Sequence, residues 1–101
     1  MPKRFQVTIT EEAFADLSEV RDKSVQKSIQ TKIGELTTEP HKRGKPLTDD
    51  LAGYYRLKAR GRYRIIYEVA MLEELVIIVV VGIRKEGDKR DAYKVAKKRL
   101  L

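Results

Sequence analysis

The sequence of 101 residues contains no cysteine and only one histidine, His41. The lack of cysteine excludes a disulfide framework, a thiolate nucleophile and a cysteine-based zinc site, and it fits a cytoplasmic protein. With one histidine, a histidine-based triad, a multi-histidine metal centre and the two-histidine acid–base pair of many nucleases lose their usual residues. We therefore expect a protein that uses neither a metal nor an organic cofactor.

Long apolar runs are also missing. The longest run, Leu75 to Val81, has the length of a β-strand and is far shorter than a membrane span. The first ten residues, MPKRFQVTIT, do not contain the long apolar run of a signal peptide. We expect no membrane partner, and the chain length predicts a single domain over residues 1–101.

Positive charge is what the sequence has in excess. Residues 1–50 carry nine Lys/Arg and nine Asp/Glu, whereas residues 51–101 carry thirteen and six, so the second half holds the whole net charge of +7. Charge of one sign, concentrated in half of a small domain, predicts a polyanionic partner. Nucleic acid, an acidic protein and a membrane surface are the alternatives, and the membrane is the weakest of them.

The first half of the chain has the pattern of one strand followed by two helices. Apolar and polar residues alternate from Phe5 to Ile9, as in a strand with one buried face. Thr10 has the position of a helix N-cap, and a second helix begins near Asp22 or Ser24. The apolar positions of the two helices are Ala13, Phe14, Leu17, Val20, Val25, Ile29, Ile33 and Leu36.

The second half has the pattern of a loop, three strands and a basic helix. Prolines and glycines predict a loop from Thr37 to Gly53. The strand-like runs are Tyr54 to Ala59, Arg62 to Ala70 and Glu74 to Ile83, and the basic helix is Lys89 to Leu101. Short links make the three strands antiparallel neighbours. The third run is apolar without alternation, which is typical of a central strand covered on both faces.

The sequence thus predicts an α+β fold with the order β-α-α-β-β-β-α. Its sheet is twisted and mostly antiparallel. An N-terminal helical hairpin covers one face, and a short C-terminal helix ends the chain.

Cations alternate with other residues across the first hairpin, YYRLKARGRYRIIY. A two-residue loop would pair Leu57 with Arg64 and would mix apolar with charged side chains. A three-residue loop, Ala59 to Gly61, pairs Lys58 with Arg62 and Arg56 with Arg64, and separates a core side from a basic side. We therefore predict that these four cations share one open face of the sheet.

Four cations on one face repel one another and reduce stability unless an anion binds them. The alternative is a solvated sheet face whose charges only maintain solubility. Glutamate or threonine would serve that purpose with less repulsion, so the sequence favours an anion-binding surface.

Several motifs follow one another along the second half of the chain. They are a Lys/Arg-rich strand and YRIIYEV within KPLTDDLAGYYRLKARGRYRIIYEV, a strand ending in VGIR, and a basic helix with DAYKVAKKRL. In this order and at this chain length they resemble the RelE family of bacterial and archaeal toxins. The resemblance implies a ribosome-dependent, metal-independent endoribonuclease that cuts mRNA in the ribosomal A site, contacts 16S ribosomal RNA and inhibits translation. It also implies a cognate acidic antitoxin, and contact with operator DNA only through the antitoxin complex.

The resemblance assigns catalytic roles to five residues. Arg56 and Lys58 occupy the two basic strand positions, Arg64 is the arginine of the YRxxY strand, Arg84 closes the G-x-R strand and Tyr93 precedes the basic helix. The family often has lysine at the position of Arg56, and the spacing from Arg84 to Tyr93 is longer than in its best-known members.

These residue types suit cleavage by the 2′-hydroxyl of the RNA. Arg64 and Arg84 are candidates to stabilise charge on the phosphate, because guanidinium groups offer paired donors to phosphate oxygens. Lysine acts as a general base when neighbouring cations disfavour its protonated form, and Lys58 has such neighbours. Tyr93 is a candidate to stack on a base or to pass a proton.

Other cations are candidates for RNA binding or simply for solvation. They are Arg62, Lys42, Arg43, Lys45, Lys94 and Lys98. Two further functions fit the same fold: a ParE-like toxin that inhibits DNA gyrase, and a non-enzymatic module that binds RNA or protein.

Overall fold

The computed structural model describes residues 3–101, so the first two residues of the predicted domain lie outside it. Its strands and main helices are β1 (Gln6–Ile9), α1 (Glu11–Ser18), α2 (Lys23–Gly34), α3 (Pro40–Arg43), β2 (Lys45–Pro46), β3 (Tyr54–Ala59), β4 (Tyr63–Ala70), β5 (Leu75–Ile83) and α4 (Ala92–Leu100). The strands form one sheet in the order β1-β5-β4-β3-β2. Only β1 and β5 are parallel within this sheet, so the predicted α+β, mostly antiparallel fold is confirmed.

Both helices of the hairpin begin at an N-cap residue, Thr10 as predicted for α1 and Asp22 for α2, which was predicted to begin near Asp22 or Ser24. The Thr10 side chain accepts a hydrogen bond from the Ala13 amide at 3.1 Å. Asp22 accepts hydrogen bonds from the amides of Ser24 and Val25, which satisfies donors that have no partner within α2. The apolar stripe of α1 is narrower than predicted, because Phe14 is 59% exposed.

Each face of the sheet has its own apolar core. The hairpin core lies under α1 and α2, and its buried residues are Phe5, Ala13, Leu17, Val20, Ile29, Leu36, Leu57, Ala59, Ile65, Tyr67, Val76, Ile78 and Val81. The C-terminal core lies under α4, and its buried residues are Leu51, Ile66, Val79, Val80, Ala92 and Ala96. Strand β5 contributes to both cores, which confirms its predicted burial on both faces.

The segment predicted as a loop is largely ordered, and that prediction is wrong. It contains α3, β2 and a 3-10 turn at Asp49–Leu51, and its first residue ends the 3-10 turn Glu35–Thr37. Pro40 stands at the start of α3, where a missing N–H is tolerated, and Pro46 lies in an edge strand. The Tyr67 hydroxyl donates to the Pro40 carbonyl at 2.8 Å and anchors this segment to the core.

The β3–β4 hairpin differs from the prediction by two residues. Lys58 pairs with Arg64, not with Arg62, and Arg56 pairs with Ile66, not with Arg64. The shift follows from the burial of Ala59, which is only 1% exposed and belongs to β3 instead of the turn.

The turn of this hairpin therefore consists of Arg60, Gly61 and Arg62. Arg60 and Gly61 both have positive φ, 53° and 66°, a conformation that glycine adopts without strain. A shift of two residues does not change which face a strand residue occupies, so Arg56, Lys58 and Arg64 share a face as predicted. Arg62 was predicted on that face and lies in the turn instead, and the buried Ile66 shares the face with the three cations, so the predicted division into a core side and a basic side is wrong.

Candidate functional site

Three cations of the β3–β4 hairpin share the sheet face on which α4 packs. Arg56 and Lys58 alternate with core residues along β3, and Arg64 lies directly opposite Lys58 on β4. Lys45 pairs with Arg56 from β2 and extends the same row to the edge of the sheet. We call these four residues the basic face.

The described part of the chain provides no acidic partner for the basic face. Within residues 3–101, no carboxylate forms an ion pair with Lys45, Arg56, Lys58 or Arg64; the ion pairs lie elsewhere. Lys58 is exposed, whereas Arg56 and Arg64 are half-buried. The repulsion among these cations is therefore not relieved by an ion pair, and the surface is suited to an anion from outside.

The Arg64 side chain is held by the hairpin turn. Its Nη1 atom donates to the carbonyl oxygens of Gly61, at 2.7 Å, and Tyr63, at 3.0 Å. Its Nε atom is buried and has no acceptor among residues 3–101. The guanidinium group is thus anchored through Nη1, and its Nη2 donors are left for an incoming phosphate.

Arg84 lies where the β4–β5 ladder ends. Its amide donates to the Arg62 carbonyl at 2.7 Å, one residue beyond the last ladder pair. The Arg84 Nη1 atom donates to Asp91 at 2.7 Å, and its guanidinium carbon lies 4.9 Å from the centre of the Tyr93 ring. The hydrogen bond to Asp91 raises the pKa of Arg84, so this arginine stays charged.

Asp91 is a buried carboxylate that the sequence analysis did not single out. It is 5% exposed and accepts hydrogen bonds from the amides of Lys85, at 2.7 Å, and Tyr93, at 3.2 Å. Burial favours its neutral form, but the hydrogen bonds from Arg84 and the Lys85 amide outweigh burial and lower the pKa of Asp91. An aspartate directly before a helical run is an N-cap signal, and α4 begins after Asp91 instead of at Lys89 as predicted.

Gly82 brings α4 close to the basic face. It is the ladder partner of Arg64, and a Cβ atom at this position would lie 3.3 Å from the Cβ of Ala92, the first residue of α4. The close approach places Tyr93, which packs against the C-terminal core, beside Arg84. The predicted catalytic residues thus come from β3, β4, the end of β5 and α4.

The predicted RNA-binding residues before the hairpin fall into two groups. Lys45 belongs to the basic face. Lys42 pairs with Glu39 at 3.2 Å, and Arg43 donates to the carbonyl and hydroxyl of Thr38. The last two cations therefore have local partners within α3 and the residues preceding it.

The other predicted RNA-binding residues lie away from the sheet face. Arg62 is exposed in the hairpin turn. Lys94 and Lys98 are exposed on α4, where they line a cleft with Glu12 of α1. Their contribution to RNA binding stays a prediction.

Two findings concern membranes and metals. Across residues 3–101, no helix has the length and apolar character to cross a bilayer. The same residues contain no group of three or more histidine, aspartate or glutamate side chains that could hold a metal ion. The predicted independence from metals stays an expectation.

Comparison with known proteins shows to which class of protein the chain belongs. Residues 7–88 match the family described as the ParE toxin of the type II toxin–antitoxin system parDE. The chain is 35% identical over 65 residues to Toxin RelE and 30% identical over 86 residues to Toxin RelG, both from Mycobacterium tuberculosis. The first match covers 64% of this chain and 66% of Toxin RelE; the second covers 85% and 98%.

A solved structure agrees with these matches. The crystal structure of the toxin–antitoxin complex RelBE2 from Mycobacterium tuberculosis contains a chain with 30% identity and a TM-score of 0.73, covering 81% of this chain and 93% of that one. Together the matches define a toxin of the type II toxin–antitoxin class. The chain belongs to the RelE/ParE superfamily of these toxins, which confirms the predicted family.

Proposed function

We propose that this toxin is a ribosome-dependent endoribonuclease that cuts mRNA in the ribosomal A site and thereby stops translation. The observation that carries the proposal is the basic face, where Lys58 and Arg64 stand directly opposite each other without an acidic partner among residues 3–101. The names of the curated relatives, Toxin RelE and Toxin RelG, favour the same branch of the superfamily.

The proposed reaction uses the nucleophile that RNA carries. The 2′-oxygen forms a bond to the adjacent phosphorus while the bond from phosphorus to the 5′-oxygen breaks. The products are a 2′,3′-cyclic phosphate and, once the 5′-oxygen has taken a proton for which Tyr93 is the candidate donor, a 5′-hydroxyl. Lys58 is the candidate base that takes the 2′-hydroxyl proton. Arg64, through Nη2, and Arg84, through the nitrogens that Asp91 does not use, are the candidates to bind the phosphate oxygens.

Tyr93 completes the proposed site from α4. One contact of its ring is with the Arg84 guanidinium group, 4.9 Å from the ring centre. An aromatic ring in this position offers a stacking surface for a base of single-stranded mRNA, and its phenol is a proton carrier. Binding of the mRNA between Arg84 and the basic face would use both properties.

The proposed site is weak in acid–base groups, which explains the expected dependence on the ribosome. Its candidate residues include no histidine and no pair of carboxylates. Holding the mRNA in line for attack can supply about 7–11 kcal/mol of the barrier without any further catalytic group. In this proposal the ribosome supplies that positioning, and Arg62, Lys42, Arg43, Lys45, Lys94 and Lys98 are the candidates to contact its RNA.

We also propose a cognate antitoxin that is acidic and covers the basic face. The RelBE2 structure is that of a toxin–antitoxin complex, and a cation-rich surface that forms no ion pair with a carboxylate of residues 3–101 fits an acidic chain. The toxin would act in the cytoplasm and would reach operator DNA only within that complex. Co-purification with the product of an adjacent gene, weakened by salt, is the expected result.

Primer extension on mRNA in a translating extract tests the nuclease proposal. The wild-type toxin should give cuts in phase with codons. Lys58→Ala and Arg84→Ala should each lose most cleavage, because they remove the proposed base and a phosphate ligand. Lys27→Ala, which removes an exposed cation from α2, is the matched control and should cut like the wild type. Uncut mRNA with the wild-type toxin would contradict the proposal.

The alternative is inhibition of DNA gyrase, which the ParE description of the matching family favours. Supercoiling by purified gyrase separates the two functions. Inhibition of supercoiling by this toxin, together with intact mRNA in the translating extract, would establish the alternative and exclude the nuclease.

A further inference from the structure

One carboxylate links two residues of the proposed site. The Oδ1 atom of Asp91 accepts from Arg84 Nη1 and from the Lys85 amide, both at 2.7 Å. Its Oδ2 atom accepts from the Tyr93 amide at 3.2 Å. Asp91 therefore joins the end of β5, which carries Arg84, to the first turn of α4, which carries Tyr93.

The Asp91 carboxylate uses only one nitrogen of the Arg84 guanidinium group as a hydrogen-bond donor. Arginine has five N–H donors, and Asp91 uses Nη1, so the edge formed by Nε and Nη2 is left for a phosphate. Asp91 itself is 5% exposed and is too deeply buried to contact an RNA chain. Its effect on RNA can only act through the groups that it holds.

We propose that Asp91 is a positioning residue that fixes the Arg84 guanidinium group against Tyr93, with its free edge directed at the RNA phosphate. This inference rests on the proposed function, since it assigns Arg84 a phosphate to bind. A long arginine side chain without such a partner samples many rotamers, and a phosphate ligand that must first be ordered contributes less to catalysis.

Helix capping alone does not account for the geometry. Asp22 caps α2, and it does so with one oxygen that accepts from the Ser24 amide, the Val25 amide and the Ser24 hydroxyl. Asp91 uses one oxygen for the cap of α4 and commits the other to Arg84 and Lys85. Asp22 thus provides a control that has the capping role without a direct hydrogen bond from an arginine.

The test is a double-mutant cycle on cleavage. Asp91→Ser keeps a good N-cap residue and removes the acceptor of Arg84, and Asp22→Ser makes the same change at the control cap. In single-turnover reactions with mRNA-programmed ribosomes, Asp91→Ser should lower the saturating rate about tenfold or more and change the half-saturating toxin concentration less than about threefold. Asp22→Ser should behave as the wild type.

The effect of Asp91→Ser in the Arg84→Ala variant shows whether Asp91 acts through Arg84 or only stabilises the fold. If Asp91 acts through Arg84, adding Asp91→Ser to Arg84→Ala should change the rate less than about twofold. A purely structural role would slow the reaction by the same factor in both backgrounds. That second result would overturn the inference while leaving the nuclease proposal intact.

NMR of the Arg84 side chain tests the positioning role in the free protein, so the test does not depend on whether the toxin cuts mRNA. The guanidinium resonances of Arg84, identified by their loss in Arg84→Ala, should be resolved by NMR in the wild type and in Asp22→Ser. They should broaden or collapse in Asp91→Ser, because the group then rotates freely. Unchanged Arg84 resonances in Asp91→Ser would overturn the inference, whatever the toxin does to mRNA.

Discussion

Lys58 and Arg64 are direct partners across the β3–β4 ladder, so two cationic residues oppose each other on the sheet face on which α4 packs. Like charges on directly opposed residues of an antiparallel pair reduce stability. No carboxylate among residues 3–101 forms an ion pair with either group. A surface that is unfavourable to the free protein and favourable to a bound polyanion is what RNA binding requires.

Removal of the Lys58 charge should stabilise the toxin while it abolishes cleavage. Lys58→Met keeps a long side chain and relieves the repulsion with Arg64, and the free energy of unfolding should rise by about 0.2–1 kcal/mol at low salt. The gain should shrink in 1 M salt, where the Debye length falls to about 3 Å. Urea unfolding of the wild type and Lys58→Met at low salt and in 1 M salt measures the change in unfolding free energy, with Lys27→Met as the control. A loss of stability in Lys58→Met would contradict the repulsion between Lys58 and Arg64.

Gly44 is required by a close approach between two segments of the chain. A Cβ atom there would lie 2.5 Å from the Arg56 carbonyl oxygen and would collide with the Tyr67 hydroxyl. Gly44→Ala should therefore displace β2 and lower the free energy of unfolding by about 1–3 kcal/mol. Gly34→Ala, in α2 with open space around it, should leave stability unchanged or raise it by up to about 1 kcal/mol. Equal effects of the two substitutions in thermal unfolding would contradict this packing.

The Tyr67 phenol should make stability depend on alkaline pH. Burial disfavours its charged form and raises the pKa of Tyr67 from 10.0 to about 12. Because the folded state favours the neutral phenol, this contribution is complete below pH 10 and is lost as the pH rises toward 12. A pKa rise of that size corresponds to about 2–3 kcal/mol.

Comparison with Tyr67→Phe isolates this contribution. The difference in unfolding free energy between wild type and Tyr67→Phe should decrease between pH 10 and pH 12. In the folded state, the difference in phenolate absorbance between the two proteins should have its midpoint near pH 12. A difference in stability that is constant over this range would show that the phenol is not buried in the folded protein.

Arg99 fastens the end of α4 to α1 and β5. Its Nη1 and Nη2 atoms donate to the two oxygens of Asp16 at 2.8 and 2.7 Å, and Nη1 also donates to the Val79 carbonyl at 3.1 Å. The side chains of Arg99 and Asp16 are only 19% and 17% exposed. Arg99→Lys loses the paired geometry and should lower the free energy of unfolding by about 1–3 kcal/mol.

Arg90→Lys is the matched control for Arg99→Lys. Arg90 also makes two bonds to one carboxylate, that of Asp88, but its side chain is 63% exposed. Exposed pairs contribute little, so this substitution should leave stability unchanged within error. If chemical denaturation shows that Arg90→Lys lowers the free energy of unfolding more than Arg99→Lys does, the hydrogen bonds of Arg99 do not hold α4 in place.

Patterns that depend on neighbouring residues predicted much of the fold. Strand β3 begins and ends as predicted, and Thr10 caps α1 as predicted, because both follow from periodicity and local capping. The face occupied by Arg56, Lys58 and Arg64 depends only on strand parity, so it was correct even though the predicted register was shifted by two residues.

Features that depend on contacts between distant segments were not predictable in this way. Strand β2 exists because Gly44 allows the chain to approach Arg56, and proline and glycine in the same segment indicated a loop. The burial of Ala59 set the hairpin register. The carboxylate that holds Arg84 lies seven residues further along the chain, and nothing in the spacing of Arg84 and Asp91 indicated that they pair.

The most direct test of the central claim is cleavage of an mRNA that lacks one 2′-hydroxyl. On purified ribosomes, the wild-type toxin should cut a defined mRNA at a mapped position and leave a 2′,3′-cyclic phosphate. The same mRNA with a 2′-deoxynucleotide on the 5′ side of that position should stay intact there, and Lys58→Met should cut neither mRNA. Cleavage of the deoxy-substituted mRNA by the wild type, or full activity of Lys58→Met on the unmodified mRNA, would contradict the account.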